Sequence, residues 1–403
     1  MNVLFLTTGE LNSIEAHSIY PDLLRCFRNH GHNVYSVSTY ERKVGKETEY
    51  VEEHGHHALR VKIGNLTKCG IIEKGISTLL IEFQYEAAIK KYLSNVKFDL
   101  VLYSTPPITL GSVIKYVKRR DNARTYLLLK DIFPQNAVDL GMMKTHGIMG
   151  LVYRYFRGKE RQLYAISDKI GCMSQANVDY VLEHNPEVEP NKVEVCPNCI
   201  EIQDVSITES QRTELRKKYG IPLDKKVFVY GGNLGKPQGI PFLIDCLKSQ
   251  INNKDVFFLI VGNGTEFSKL ESFFEEAQPA NMKLMQSLPK DDYDKMIAAC
   301  DVGLIFLDHR FTIPNFPSRL LAYMQAGLPV LACTDPNTDI GKVIVDGGFG
   351  WWCESDDVEK FVQMIKFIIK EKTITSKIVS SFLVEQYSTE KEYEIIKNGV
   401  NFR

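Results

Sequence analysis

Short runs of apolar residues alternate with longer segments in which apolar residues recur every three or four positions. The short runs predict buried β-strands, and the longer segments predict amphipathic helices that cover them. In the first half of the chain, strands are predicted at residues 2–7, 33–38, 100–103, 125–129, 169–173 and 193–195. Helices are predicted between them at residues 19–30, 73–95 and 108–118. This alternation indicates a parallel sheet with helices on both faces.

The same alternation starts again after a polar stretch at residues 204–224. Strands are predicted at residues 226–230, 256–261, 283–285, 302–306 and 329–332, and helices at residues 238–248, 267–276, 291–300, 318–325, 358–369 and 376–386. We therefore predict an α/β protein with two doubly wound Rossmann-like domains, at residues 1–200 and 201–386. Because ligands bind at the carboxyl ends of parallel strands, we expect the site in an interdomain cleft.

Composition narrows the class of protein without assigning a function. The 403 residues carry a formal net charge of −1, so the chain as a whole has no attraction for nucleic acid. Its apolar runs are shorter than a membrane span, and its first residues predict a strand rather than a signal peptide. Its nine cysteines are scattered, and this usage favours a cytoplasmic protein. Cys196 and Cys199 have CxxC spacing but lack a second pair of ligands, so we expect no metal site. We interpret the segment with His54, His56 and His57 as a solvated polar loop.

Two glycine-rich segments follow predicted strands of the second series. The first, YGGNLGKPQG at residues 230–239, places Gly232, Asn233, Lys236 and Gly239 at a strand end. Glycines there permit a bulky ligand to approach the backbone, and a lysine can meet a phosphate. The segment is neither GxGxxG nor a P-loop, which weakens the case for a dehydrogenase or a P-loop nucleotide hydrolase. The alternative is an ordinary strand–helix turn.

The second segment, VGNGTE at residues 261–266, again lies between a strand and a helix. Gly262 and Asn263 can hold the base or the ribose of a nucleotide. A plain turn capped by Thr265 explains the segment equally well.

Residues 313–334, IPNFPSRLLAYMQAGLPVLACT, predict a loop, a short buried helix and a strand. Pro317 is predicted to be the first helical residue, a position that suits its fixed φ and missing N–H. Free amides near Ser318 and Leu320 would form an anion site with the helix dipole and the Arg319 guanidinium. The alternative is an ordinary helix start.

Asp131 follows the strand predicted at residues 125–129, so it lies at a carboxyl end, where functional residues collect. A carboxylate there can orient or deprotonate an acceptor hydroxyl, and a turn or helix-cap role is the alternative. Gly9 follows the first predicted strand in the same way. We therefore place the acceptor near Gly9 and Asp131.

Residues 142–165 predict a helix that mixes basic residues, such as Lys144 and Arg154, with apolar and aromatic ones, such as Ile148 and Tyr155. Such a helix can rest on an anionic membrane surface. The alternative, that its apolar side belongs to the core and its basic side is solvated, is preferred because apolar helix faces are most often core.

The order of these segments resembles that of family 4 glycosyltransferases, which have the GT-B fold of two Rossmann-like domains. The resemblance covers nearly the whole chain and rests on RNHGHNV at residues 28–34, CMSQ at 172–175, PN at 197–198, the glycine-rich segments at 231–239 and 261–264, ACDVGL at 299–304 and PSRLLAYMQAGLPV at 317–330. It implies that the last of these holds the donor diphosphate. It also implies that residues 387–403 pack back on the first domain.

DIFP at residues 131–134, with AV at 137–138 and LG at 140–141, is similar to a segment of bacterial transferases that build O-antigen and capsule. The resemblance implies a retaining enzyme that moves an N-acetylated amino sugar, such as N-acetyl-L-fucosamine, from a UDP-sugar to an undecaprenyl-diphosphate-linked saccharide. Gly232, Lys236 and Arg319 would bind the diphosphate. No cofactor or metal besides the nucleotide sugar is implied, and contact with the inner face of the plasma membrane would be peripheral.

Two glutamates that many relatives carry around this helix are replaced by Pro314 and Ala322. Neither side chain accepts a hydrogen bond, so the ribose must be recognised otherwise, and Glu266 is one substitute. Two alternatives stay open. A non-hydrolysing UDP-sugar epimerase can share the fold but needs acid and base groups, for which Asp131 is the obvious candidate. A non-catalytic partner protein can also keep the fold.

Overall fold

The structure, a computed structural model, describes residues 1–371 and 374–401, and for residue 71 the backbone alone. The chain forms two compact units. One consists of Met1–Glu201 and the segment from Ser388 onward, and the other of Ile202–Tyr387. Among the described residues, every helix is too short or too polar to serve as a bilayer span.

The first unit is built on an eight-stranded sheet with the order β3-β4-β2-β1-β5-β6-β7-β8. Its strands are β1 (Asn2–Leu6), β2 (Asn33–Glu41), β3 (Glu49–Glu53), β4 (His56–Ile63), β5 (Leu100–Ser104), β6 (Arg124–Leu129), β7 (Lys169–Cys172) and β8 (Val193–Val195). Its first six helices are α1 (Ile19–Asn29), α2 (Ile71–Tyr92), α3 (Gly111–Asp121), α4 (Gln135–Asp139), α5 (Gly147–Ile166) and α6 (Gln175–His184). All strand pairs are parallel except β3 with β4.

The second unit has a six-stranded parallel sheet with the order β11-β10-β9-β12-β13-β14. Its strands are β9 (Lys226–Asn233), β10 (Val256–Asn263), β11 (Met282–Met285), β12 (Val302–Phe306), β13 (Val330–Thr334) and β14 (Gly350–Glu354). Its helices are α7 (Glu209–Tyr219), α8 (Ile240–Lys248), α9 (Phe267–Ala277), α10 (Lys290–Ala298), α11 (Arg319–Gln325), α12 (Ile340–Asp346), α13 (Val358–Lys370) and α14 (Ser376–Tyr387).

The last helix, α15 (Thr389–Gly399), belongs to the first unit. Its inward residues Tyr393 and Ile396 join the core under α1, which includes Phe27. The rings of Phe27 and Tyr393 meet edge to face with centroids 5.0 Å apart. The end of the chain therefore completes the hydrophobic core of its first half.

The prediction of a polar loop around His56 is wrong. His56 begins β4, is fully buried and shares a 2.9 Å hydrogen bond with the Ser36 hydroxyl on β2. Burial lowers the pKa of the imidazole to about 4, so the ring is neutral at pH 7. Polar residues at the inward positions of β4, including the buried Arg60, interrupt the apolar alternation from which a strand is recognised.

Candidate functional site

Each sheet has one point where the strand order reverses, which is its switch point. In the second unit it lies between β9 and β12, because β10 and β11 extend to one side and β13 and β14 to the other. In the first unit it lies between β1 and β5. A doubly wound sheet opens a crevice at the carboxyl ends of the strands at such a point, and ligands bind there.

The two glycine-rich segments of the second unit lie side by side. Gly232 and Asn233 at the end of β9 pair in register with Gly262 and Asn263 at the end of β10. A Cβ added at Gly262 would come within 1.9 Å of the Gly232 carbonyl oxygen. The close contact that requires a glycine at residue 262 is therefore with the neighbouring strand, and a ligand is not needed to explain it.

Gly232 is different. Its backbone is left-handed, with φ +112°, and a Cβ added there would meet nothing closer than the Arg319 guanidinium carbon at 4.0 Å. The residue is exposed at the switch point. Gly232 thus leaves open space in front of a cation, as a site for a bulky anion requires.

Arg319 is the most informative side chain of this site. Its guanidinium carbon stacks over the ring of Tyr230, 4.4 Å from the ring centroid. Its Nη1 is buried, and no described residue accepts a hydrogen bond from it. A buried donor without an acceptor costs about 1–3 kcal/mol, so an arginine held in this way points to an anionic ligand.

Tyr323, which the sequence reasoning did not single out, braces this arrangement. Its hydroxyl accepts a hydrogen bond from the Gly231 amide at 3.0 Å and donates one to the Leu304 carbonyl at 3.1 Å. Gly303 leaves room for its ring, since a Cβ there would lie 2.5 Å from it. Tyr323 thereby ties α11 to both strands of the switch point. Its position four residues after Arg319, on the same side of the predicted helix, is the sequence signal that could have identified it.

The prediction that Pro317 is the first residue of its helix is wrong. Helix α11 begins at Arg319, with Ser318 as its cap. The Leu320 amide donates to the Pro317 carbonyl at 3.2 Å, and the Leu321 amide donates to the Ser318 carbonyl at 3.1 Å. These tight i to i+3 bonds occupy the Leu320 amide, so the cation contributes more to this anion site than the helix start does.

Lys236 and Gly239 lie on the connection between β9 and α8. Lys236 is exposed and forms no ion pair with any residue that the structure describes, so its amine is available to a ligand. Gly239 has φ +56°, and a Cβ there would lie 3.2 Å from the Asp308 backbone. Gly239 therefore serves the packing of this loop against the end of β12.

The two asparagines already have partners within the unit. Asn233 donates to Gln238 Oε1 at 3.1 Å, and Asn263 donates to the Ser287 hydroxyl at 3.0 Å. Glu266, the substitute for the missing glutamates, is buried at the start of α9 and pairs with Lys269. Asn233 and Asn263 end β9 and β10, and Glu266 follows β10, so all three are at the carboxyl edge of the sheet.

In the first unit, Asp131 follows β6, two strands from β1. Asn136 Nδ2 lies 2.8 Å from each of its carboxylate oxygens, and Thr105, just after β5, donates to its carbonyl at 3.1 Å. Burial raises the pKa of the Asp131 carboxyl to about 6, against the hydrogen bond from Asn136, which lowers it. An acid with this pKa can exchange a proton near neutral pH.

Gly9 is exposed in the loop after β1, and its amide donates to the Thr7 hydroxyl at 3.1 Å. Gly9 and Asp131 share the carboxyl edge of the first sheet, on either side of its switch point. The crevice of a doubly wound sheet opens at this edge.

Lys130, the residue before Asp131, connects the loop after β6 to α15. Lys130 Nζ lies 3.5 Å from a Glu392 carboxylate oxygen on α15 and donates to the Cys196 carbonyl at 3.2 Å. Burial raises the pKa of the Glu392 carboxyl to about 7, although Lys130 lowers it. The sequence reasoning missed this pair, because 262 residues separate its members.

Within the described residues, two clusters have the geometry to hold a metal ion, Cys26–His30–Glu390 and His17–Asp22–Glu201. Both are around α1 and include none of the predicted site residues. Cys196 and Cys199 are buried free thiols.

Helix α5, predicted from residues 142–165, does not bury its apolar side as preferred above. Ile148, Leu151 and Tyr155 are exposed. Part of its basic side is instead engaged in ion pairs, including Arg157 with Glu160 at 2.7 Å. The alternative that assigned the apolar side to the core is therefore wrong for these residues.

Comparison with known proteins gives the class of enzyme and the fold. The family described as "Glycosyl transferases group 1" matches residues 211–381, which cover most of the second unit. The probable glycosyltransferase WbjE of Pseudomonas aeruginosa is 23% identical over 331 residues, 81% of this chain and 80% of WbjE. The putative colanic acid biosynthesis glycosyl transferase WcaI of Escherichia coli K12 is 24% identical over 275 residues, 67% of this chain and 66% of WcaI.

Among solved structures, Anabaena HepE in complex with UDP-glucose superposes with a TM-score of 0.71 at 15% identity, covering 100% of this chain and 99% of HepE. The two parallel-sheet units are thus those of the GT-B fold, as predicted. The chain is a glycosyltransferase. The family match at residues 211–381 lies within its second unit, and the predicted resemblance to family 4 glycosyltransferases is confirmed.

Proposed function

We propose that this glycosyltransferase moves a sugar from a UDP-sugar to a lipid-linked saccharide during assembly of a bacterial surface polysaccharide. The observation that carries the proposal is Arg319, a cation whose buried Nη1 has no acceptor among the described residues and which faces the open side of Gly232. The name of WcaI and the UDP-glucose bound to HepE support the polysaccharide and the nucleotide.

The donor diphosphate would lie at the switch point of the second unit, between Gly232 and Arg319, with Lys236 reaching it from the exposed loop. Asn233, Asn263 and Glu266 would surround the nucleoside. Each would first have to exchange a partner that it holds within the unit for the ligand.

The chemistry would retain the anomeric configuration. The bond from the anomeric carbon to the diphosphate oxygen breaks, and the acceptor hydroxyl oxygen bonds to the same face of that carbon. The hydroxyl proton passes to the leaving phosphate oxygen. Arg319 and Lys236 stabilise the negative charge that develops on the diphosphate, which is where preorganised groups contribute most to the rate. No metal is needed in this scheme.

Asp131 would orient the acceptor hydroxyl by accepting a hydrogen bond from it, while the proton itself passes to the leaving phosphate oxygen. The acceptor would be an undecaprenyl-diphosphate-linked saccharide near Gly9 and Asp131, and the donor sugar an N-acetylated amino sugar such as N-acetyl-L-fucosamine. Such an acceptor is held in the membrane, so the enzyme would work as a peripheral protein at the inner face of the plasma membrane.

The test is transfer from a panel of labelled UDP-sugars, including UDP-N-acetyl-L-fucosamine, to synthetic undecaprenyl-diphosphate saccharides. The anomeric configuration of the product is read by NMR. Transfer with retention from a UDP-sugar is the expected result. Epimerised UDP-sugar formed without acceptor would overturn the proposal in favour of an epimerase, and an inverted product would overturn the retaining chemistry.

A further inference from the structure

Two helices of the first unit expose large apolar side chains along one side. On α2 these recur at helical spacing, at Ile72, Ile76, Leu79, Leu80 and Phe83, and on α5 they are Ile148, Met149, Leu151, Val152 and Tyr155. Ile72 is 80% exposed and Ile148 is 84% exposed, values close to full solvation. We name these ten residues the α2–α5 surface. Large contiguous apolar patches on a protein surface mark interaction sites.

The two halves of this surface are neighbours. Helix α3 packs against both α2 and α5. Lys159, one turn after Tyr155 on the same side of α5, pairs with Glu82 on α2 at 3.0 Å. Glu82 is next to Phe83. The ion pair therefore connects the two apolar stripes into one surface.

The surface begins at the edge of the sheet where the acceptor is placed. A helix that follows a strand in a parallel sheet starts at the carboxyl end of the strand and runs back. Ile72 and Ile148 are in the first turns of α2 and α5, so these most exposed side chains are at the same edge as Asp131.

The charged residues around this surface indicate which partner it can bind. Every acid of the two helices is paired, including Glu73 with Arg42 at 2.7 Å and Glu86 with Lys90 at 2.6 Å. Lys144 and Arg154 are exposed, and no acidic partner is found for them within the described ranges. A second copy of this chain would bring like charges together in a symmetric contact, whereas an anionic bilayer complements both the apolar stripe and the cations.

We propose that the α2–α5 surface docks the enzyme on an anionic membrane. Its apolar side chains enter the headgroup region, and Lys144 and Arg154 meet anionic lipids. Docking would present the Asp131 edge to the membrane surface. The inference rests on the proposed function only for the lipid-linked acceptor, since membrane binding is measured without any sugar.

The test is flotation of the full chain with vesicles of phosphatidylethanolamine and phosphatidylglycerol, compared with vesicles of phosphatidylcholine alone. We expect binding to the anionic vesicles that falls as salt is raised. Ile72→Asp and Ile148→Asp should each weaken binding about tenfold or more, because an apolar side chain that would enter the headgroup region is replaced by a charge. Lys144→Glu and Arg154→Glu should each weaken it by about fivefold or more, the factor expected from about 1 kcal/mol per basic residue.

The matched controls are in the second unit. Leu223→Asp changes a side chain that is 53% exposed, and Lys217→Glu changes an exposed lysine, so both should bind vesicles like the wild type. The four test positions are exposed, so the variants should fold, which thermal unfolding checks. UDP-dependent thermal stabilisation should be retained in all of them, which separates failure of docking from failure of the donor site.

Three results would overturn the docking proposal. The first is failure of the wild-type chain to float with anionic vesicles. The second is binding of the isoleucine variants equal to that of the wild type. The third is conversion of a dimer to a monomer by the same variants in light scattering, which would assign the surface to a second copy of the chain.

Discussion

Replacing Arg319 by methionine tests the donor site most directly. Methionine is of similar length and can lie against Tyr230, but it has no charge and no hydrogen-bond donor. Arg319 at present leaves one buried donor unsatisfied while its guanidinium stacks on the ring. The substitution therefore removes both an unfavourable and a favourable contribution to folding.

These two contributions nearly cancel. The unsatisfied donor costs about 1–3 kcal/mol, and the stacked cation contributes about 0.5–2 kcal/mol. The free energy of unfolding of the unliganded variant should therefore stay within about 1 kcal/mol of the wild type. With the nucleotide, a charged hydrogen bond worth about 1.5–3 kcal/mol is lost, so the Kd for UDP should rise about tenfold to a hundredfold.

The assay is thermal unfolding with and without UDP, combined with calorimetric titration. At a UDP concentration about one hundred times the wild-type Kd, ligand binding stabilises the wild type by about 2.7 kcal/mol, and the variant should gain about 1.4 kcal/mol or less. Arg212→Met is the matched control. Arg212 pairs with Asp301 at 2.6 Å, just before β12 at the opposite edge of the sheet, so the control should retain the full gain from UDP.

Two outcomes would refute the reasoning. An unchanged Kd for UDP in Arg319→Met would show that the unpaired donor does not serve the diphosphate. A loss of several kcal/mol in the unliganded variant would show instead that Arg319 holds the fold together, as a structural arginine would.

Three further predictions concern the other site residues. Asp131→Asn should abolish any increase of kcat/KM through about pH 6. Because the raised pKa of Asp131 favours its protonated form in the fold, the stability of the wild type relative to this variant should fall as pH rises from 3.8 to about 6. A stability difference that stays constant in unfolding curves at several pH values would contradict this. Gly262→Ala should lower the free energy of unfolding by about 1–3 kcal/mol, since its Cβ would overlap the Gly232 carbonyl, and an unaffected melting temperature would be inconsistent with that contact. Lys236→Ala should leave the free energy of unfolding within about 0.5 kcal/mol of the wild type but slow sugar transfer about a hundredfold. Turnover equal to that of the wild type would show that Lys236 does not act at the diphosphate site.

Local pattern was enough to predict most of the elements. The strands of both sheets except β3, β4 and β14 follow from apolar runs, and the position of Asp131 follows from its place after β6. Where inward positions carry polar groups with partners, as at His56, the pattern fails because the partners that make burial possible are far apart in sequence.

The glycines of the donor site also show where local pattern is insufficient. Gly232 and Gly262 look alike in the sequence, yet one opens a space toward Arg319 and the other accommodates the neighbouring strand. Nothing within either segment distinguishes them, because the difference depends on which strand pairs with which.

By itself, the sequence determined the fold class, the order of the elements and the segments that carry the site residues, because these depend on periodicity and on residues that are near one another in the chain. Only the tertiary structure decided that Arg319 stacks on Tyr230 with a donor left unpaired, that Lys130 pairs with Glu392, and that the apolar side of α5 faces solvent. Each of these depends on contacts between distant segments, and burial, which sets the energy of a charge or an apolar side chain, exists only once those segments have packed.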